Sequence, residues 1–280
     1  MDSAIASNTR LQALCDFGRT HCRLFVLTGA GCSTASGIPD YRDSKGEWKR
    51  PAPVTYQAFM REASTRQRYW ARSLIGWPTI ACAQPGAAHH ALAELEQRNR
   101  IELLVTQNVD GLHSAAGHLR TLDLHGRIDT VRCMACDARM SRAEHDTALR
   151  QHNPDWLALQ APSAPDGDAD LEGVDFSRFV VPTCPHCAAG LLKPDVVFFG
   201  ESVPRERVAA AQAALNASDA MLVLGSSLMV YSGFRFVQAA VAAGKPVAAI
   251  NFGRTRADAL FALKLEQPVE QGLRAMLQAL

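Results

Sequence analysis

The chain has 280 residues, 48% hydrophobic and 20% charged, which is the usage of a folded globular protein and not of a disordered or fibrous one. That length holds one large core, or a core with a minor domain. Twenty-nine basic residues against 28 acidic leave a formal charge of +1, so no global field draws the chain to nucleic acid or an anionic membrane.

The first twenty residues, MDSAIASNTRLQALCDFGRT, carry neither a secretory nor an organellar leader pattern. No apolar run approaches the roughly 18 residues of a membrane span. The expectation is a cytoplasmic protein; its oligomeric state is open, with a monomer as the default. The first strand-like run, RLFVLTG at 23–29, leads into Gly29-Ala-Gly31-Cys-Ser33-Thr34 and on to Gly37-Ile-Pro39-Asp40-Tyr41-Arg42. Small residues directly after a strand let backbone amides approach a phosphate, and an arginine adds a fork of donors. Thr34 stands where a dehydrogenase loop has its third glycine, and a short glycine pair also fits a plain turn. Tyr69 and Arg72, three apart on an expected helix, share a face that offers a hydroxyl and a guanidinium to an acidic group, and a plain surface helix edge fits them equally well. Cys32 reads as a packing residue rather than a redox sensor.

IELLVTQN at 101–108, AMLVLGSS at 220–227 and PVAAIN at 246–251 read as further buried parallel strands. Val208, Ala211 and Leu215, and Leu273, Met276, Leu277 and Leu280, have helical spacing. Strands alternating with helices imply an open α/β sheet whose ligand site lies at the strands' carboxyl ends. Gln107, Asn108 and Asp110 follow one strand; His125 follows another, where an imidazole suits general-base work but also a purely structural role. Residues 153–173 are rich in Pro, Gly and Asp and read as a loop excursion.

Cys133 and Cys136, with Cys184 and Cys187, form two C-x-x-C knuckles. Four thiolates in this arrangement close a tetrahedral Zn²⁺ site with no position left for water, so the metal is structural. His186 is expected at the surface and not as a fifth ligand. The stretch lacks the interleaved basic and aromatic residues of a nucleic-acid-binding ribbon.

GAGCSTASGIPDYR, TQNVDGLH at 106–113, LHG at 124–126, the paired knuckles, KPDVVFFGE at 193–201, GSSL at 225–228 and Asn251 together resemble the sirtuins, in that family's order, from about Leu24 to Val269. PDYR, RQRYWAR at 66–72, NPDW, PDGD and YSG at 231–233 resemble the class II subgroup, which contains the mitochondrial sirtuin associated with lipoamidase and ADP-ribosyl transfer. The resemblance implies a Rossmann-like open parallel sheet over 1–126 and 190–280. An inserted small zinc-binding domain occupies 127–189, and a helical stretch at 45–85 joins the small lobe. It implies an NAD-dependent protein-lysine deacylase that acts on acylated-lysine proteins, not nucleic acid or membrane, releasing nicotinamide and 2′-O-acyl-ADP-ribose. Protein ADP-ribosylation or lipoamidase activity at the same NAD site is the alternative.

By the same resemblance Gly29, Ala30, Gly31 and Ser33 cradle the pyrophosphate, Arg42 meets phosphate, and Asp40 and Tyr41 cover the nicotinamide end. Gln107 and Asn108 hold ribose hydroxyls and ordered water, Asp110 the carboxamide. His125 takes the ribose proton, and Gly225, Ser226, Ser227, Asn251, Gly253 and Val269 hold the adenosine half. The 196–201 segment pairs with the substrate backbone as an added strand, placing Val197 and Phe198 along the acyl-lysine tunnel. Bulky or acidic acyl groups are expected over acetyl.

Overall fold

The structure, a computed structural model, describes residues 2–49, 53–159, 169, 171 and 173–280. In chain order its strands are β1 Leu24–Thr28, β2 Ile101–Thr106, β3 Thr121–Asp123, β4 Gly126–Cys133, β5 Arg139–Ser141, β6 Leu192–Val196, β7 Ala220–Leu224, β8 Val247–Ile250 and β9 Leu263–Leu265. Its α-helices are α1 Asp2–Thr20, α2 Tyr56–Arg61, α3 Ala63–Ala81, α4 Ala87–Gln97, α5 Leu112–Ala115, α6 Arg142–His152, α7 Arg205–Ala217, α8 Tyr231–Ala242 and α9 Val269–Ala279.

Six strands form one parallel sheet in the order β3-β2-β1-β7-β8-β9. Every residue of β1, β7 and β8 is buried, which is why these strands are apolar without alternation: helices cover both faces. One core joins α1, α4 and α9 to the sheet through Leu14, Leu92 and Leu273. The other joins α7 and α8 through Leu215 and Phe236. On α7 and α9 the expected apolar faces are buried at Ala211, Leu215, Leu273, Met276 and Leu277, but Leu280 caps the end of α9 and stays 39% exposed.

The chain leaves the parallel sheet after β3 and enters a second, antiparallel sheet, β5-β4-β6. Its core contains Val131, Leu149, Phe179 and Leu192, and also Phe59, Tyr69, Trp70 and Leu74 from α2 and α3. Trp70 Nε1 donates to the Leu192 carbonyl at 3.2 Å, tying the two parts together. Because β6 pairs with β4, this unit extends past residue 189 to Val196. The excursion after α6 begins with a 3₁₀ turn, Pro154–Ala158, whose Trp156 stacks on Phe176. Residues 160–168, 170 and 172, including the PDGD string, lie outside the described residues. Among the described residues no helix is long and apolar enough to cross a membrane.

Candidate active site

The sheet order reverses between β1 and β7: β1 runs outward to β2 and β3, β7 to β8 and β9. At such a switch point the loops after the two strands part and leave a crevice at the carboxyl ends. A cleft of about 1570 Å³ opens there, larger than the ~300–1,000 Å³ of a single drug-sized ligand. Its size admits a dinucleotide together with part of a second substrate.

On its β1 side lie Gly29, Ala30, Gly31 and Ser33. No α-helix follows directly; two short 3₁₀ turns, Ala30–Cys32 and Thr34–Ser36, carry the loop. The backbones of this loop and the β7 loop touch so closely that an ideal Cβ on Gly31 would sit 2.8 Å from Gly225 Cα, and one on Gly225, at φ +57°, 2.6 Å from Cys32 N. Only glycine fits either position. Cys32 is buried, its thiol donates to the Leu224 carbonyl at 3.4 Å, and burial pushes it up to about 12; it packs and is no accessible thiolate. Asp40, Tyr41 and Arg42 also line the cleft. Asp40 pairs with Lys49, and Arg42 lies 3.9 Å over the Trp48 ring while Nη1 donates to the Gly46 carbonyl at 2.7 Å.

Gln107, Asn108 and Asp110, just past β2, tie three loops together. Gln107 Nε2 donates to Ser226 Oγ at 2.8 Å. Asn108 Nδ2 donates to the Gly29 carbonyl and to Ser33 Oγ, each at 3.1 Å, and Ser33 Oγ donates to Asp110 Oδ2 at 2.7 Å. Gly225, Ser226, Ser227, Asn251 and Val269 continue the wall. Leu228, also on the wall, holds φ +57°, an uncommon conformation for a leucine and the kind of strain that collects at functional loops. Gly253 does not line the cleft; it sits behind it against Ser44.

His125 lies between β3 and β4, where the chain crosses from one sheet to the other, and faces the cleft. Its Nδ1 meets the Gln107 carbonyl at 2.9 Å and its Nε2 meets Ser232 Oγ at 2.7 Å. A carbonyl only accepts, so Nδ1 carries the proton and Nε2 is the acceptor, taking a hydrogen bond from the Ser232 hydroxyl. Burial holds the imidazole down to about 4, which keeps it neutral at neutral pH. Ser232 is a partner that sequence reasoning did not find: it stands 107 positions further on, and no spacing rule connects the two.

At the other end Tyr69, Val197 and Phe198 line the cleft, with Val54, Ile128 and Phe199. Phe198 packs on Phe59 and Tyr69 at 5.2 and 5.3 Å. Val197 N donates to the His125 carbonyl at 2.8 Å, and Glu201 Oε2, paired with Lys193 at 3.1 Å, accepts from Phe198 N at 2.9 Å. Arg72 shares α3 with Tyr69 but is not on the cleft wall, so the expected Tyr69–Arg72 pair does not converge on it.

The four cysteine Sγ atoms lie within 4.8 Å of one another, with Cys133–Cys187 at 3.7 Å and Cys136–Cys184 at 3.8 Å. Tetrahedral zinc with Zn–S bonds of about 2.3 Å needs sulfur separations of ~3.8 Å, so the donor set fits. Ala135 N and Cys136 N point at Cys133 Sγ and draw its thiol down to about 6. His186 is exposed, as expected.

Burial also lowers four further imidazoles: His145, to about 3, and His89, His113 and His118. The unfolded chain binds protons near pH 6.5 that the fold refuses, so stability falls as pH drops from about 6.5 toward 4. Each such group contributes up to about 1.4 kcal/mol per pH unit. The melting temperature of zinc-loaded protein is expected to be roughly 5–10 °C lower at pH 5 than at pH 7. His145→Phe, whose ring can keep the contact with Trp70, should flatten the slope; a melting temperature unchanged between the two pH values contradicts the account.

Residues 29–232 match the model of the Sir2 family. A Xanthomonas campestris protein named NAD-dependent protein deacetylase is 65% identical over 95% of this chain and 90% of its own length. A Bordetella bronchiseptica protein of the same name is 63% identical over 98% of each chain. A solved structure described as Sir2 with p53 peptide and NAD⁺ superposes with a TM-score of 0.76 at 28% identity, covering 94% of this chain and 95% of the other. Another, described as Sir2 bound to acetylated peptide, gives 0.74 at 25%, covering 96% and 97%. With the glycine loop, the amide cluster, His125 and the four-thiol centre assembled on one such scaffold, the chain belongs to the Sir2 family.

Proposed function

We propose that the chain is an NAD-dependent protein-lysine deacylase, acting on acylated-lysine proteins and releasing nicotinamide and 2′-O-acyl-ADP-ribose. The observation that carries this reading is the His125 imidazole, held neutral on the cleft wall with Nε2 as its acceptor nitrogen, next to Ser232. Bound NAD⁺ supplies an electrophilic ribose carbon once nicotinamide departs. The backbone of Gly29, Ala30, Gly31 and Ser33 offers donors to the pyrophosphate, with Arg42 beside it and Asp40 and Tyr41 at the nicotinamide end. Gln107, Asn108 and Asp110 orient the ribose and carboxamide; Gly225, Ser226, Ser227, Asn251 and Val269 hold the adenosine half, with Gly253 shaping that loop from behind. His125 Nε2 accepts the ribose hydroxyl proton, and Ser232 keeps it aimed.

The apolar wall of Tyr69, Val197 and Phe198 takes the acyl-lysine stem. With Arg72 off that wall, the reading favours bulky neutral acyl groups over acidic ones. It treats 1–126 with 197–280 as the nucleotide lobe, and the described residues of 127–196, with α2 and α3, as the small lobe; the pairing of β6 with β4 and the shared core around Trp70 support the latter. Class II membership rests on PDYR, RQRYWAR and YSG, and a monomer in a reducing cytoplasm completes the reading. The test is mass spectrometry of NAD⁺-dependent products with acetyl-, long-acyl- and glutaryl-lysine peptides. One nicotinamide and one acyl-ADP-ribose per lysine are expected, with long acyl fastest. Label retained on protein would instead assign ADP-ribosyl transfer.

A further inference from the structure

Next to His125 and Ser232 the cleft continues between two helices. One face of α7, Arg205, Val208, Ala209 and Gln212, and the first turns of α8, Tyr231 and Arg235, line it there. The spacings of three and four on α7 put those residues on one side of the helix. Tyr231 is 53% exposed; the guanidinium of Arg235 lies 5.2 Å over its ring and that of Arg256 5.8 Å. Arg256 Nη1 is held by the Met229 carbonyl at 3.2 Å.

Among the described residues neither Arg205, Arg235 nor Arg256 has a carboxylate within ion-pair distance, and Arg235 Nε is buried without a hydrogen-bond partner. The acidic side chains on the cleft wall are engaged elsewhere or distant in the fold. Asp40 pairs with Lys49, Asp43 accepts from Lys45 N and Glu47 N, Asp110 from Ser33, and Glu201 from Lys193; Glu270 belongs to α9. Glu206, the acid in the first turn of α7, does not line the cleft. An extension lined by Val208, the exposed Tyr231 ring and cations without counter-charge is complementary to an acidic side chain on an extended peptide.

We infer that the α7–α8 extension, through Arg205 and through Arg235 stacked on Tyr231, selects protein substrates carrying an acidic residue beside the acyl-lysine. The inference rests on the deacylase reading and adds a sequence preference to it. Backbone pairing at 196–201 is indifferent to side chains, so such a preference has to come from a surface like this one. Partly exposed charge pairs are each worth about fivefold in affinity.

The test uses full-length, zinc-loaded protein and acetyl-lysine peptides that differ only in glutamate, alanine or lysine on either side of the modified residue. Both kcat/KM and peptide affinity by fluorescence anisotropy are measured. A glutamate-to-alanine ratio of about five to tenfold is expected, falling toward one in 0.5 M salt and in the Arg205→Gln, Arg235→Gln double variant. Equal use of the three peptides by the wild type, or a ratio that survives both substitutions, overturns the inference. Loss of NAD⁺ affinity in the double variant with the peptide ratio intact overturns it too, by assigning the arginines to the nucleotide. If no acyl peptide turns over, the deacylase reading fails, and the anisotropy ratio still decides whether the groove selects acidic peptides.

Discussion

Nicotinamide release driven by acyl-lysine is expected to fall about 10²–10⁴-fold in His125→Ala, the usual contribution of a positioned acid–base group. The geometry gives the reason. The Gln107 carbonyl fixes the proton on Nδ1, so Nε2 is the one ring nitrogen that accepts, from Ser232 here and from a ribose hydroxyl in turnover. Among the described residues no other imidazole lines the cleft; His89 and His113 are bonded to Ser33 and Thr28 at 3.4 and 2.9 Å. Nucleotide affinity should change only severalfold, because the loop amides and the Asn108–Ser33–Asp110 cluster remain. Ser232→Ala should lower the rate less, since it removes an aiming contact and leaves the acceptor. Rates followed by nicotinamide production, with NAD⁺ affinity measured in parallel, check this; turnover retained within a few-fold in His125→Ala would remove the imidazole from the chemistry.

The legibility of this molecule in its sequence follows the range of the interactions involved. β1, β2, β7 and β8 were readable because a central parallel strand is apolar throughout, a local signal. β3 and β9 are three residues long at the sheet's edges, too short to show a pattern. Gln107, Asn108 and His125 were legible as strand-end polar residues in family motifs, and the fold brings them to one cleft. Ser232 and the arginines Arg205 and Arg235 of α7 and α8 were not, since their meaning depends on packing between distant elements, 107 positions apart for Ser232 and His125. Arg72 shows the converse error: residues three apart share a helix face, but helix spacing does not say whether a long side chain reaches a cavity.

Chelation of the metal, or Cys184→Ser, is expected to unfold the small lobe and abolish activity together. Structural zinc binds four-thiolate sites with an apparent ~10–16 kcal/mol, as large as the ~5–15 kcal/mol of stability of a whole domain. Cys133 and Cys184 are buried within the core that also holds Trp70, Leu149 and Phe179. Releasing four mutually repelling thiolates there would disrupt that core as well as the knuckles. The damage would travel directly to the cleft: Cys187 is followed by β6, and β6 by Val197 and Phe198, with Val197 N bonded to the His125 carbonyl. Gly190→Ala should act in the same direction, because a Cβ there would collide with Cys133 Sγ. Cys22→Ser and Cys82→Ser, at exposed positions outside the cluster, should change neither metal content nor melting temperature. The checks are zinc by elemental analysis, expected at about one per chain, and thermal melts before and after chelation; an iron–sulfur absorbance, or full activity in a metal-free chain, would reject a structural zinc, since nothing else in this core neutralises four sulfurs at such short range.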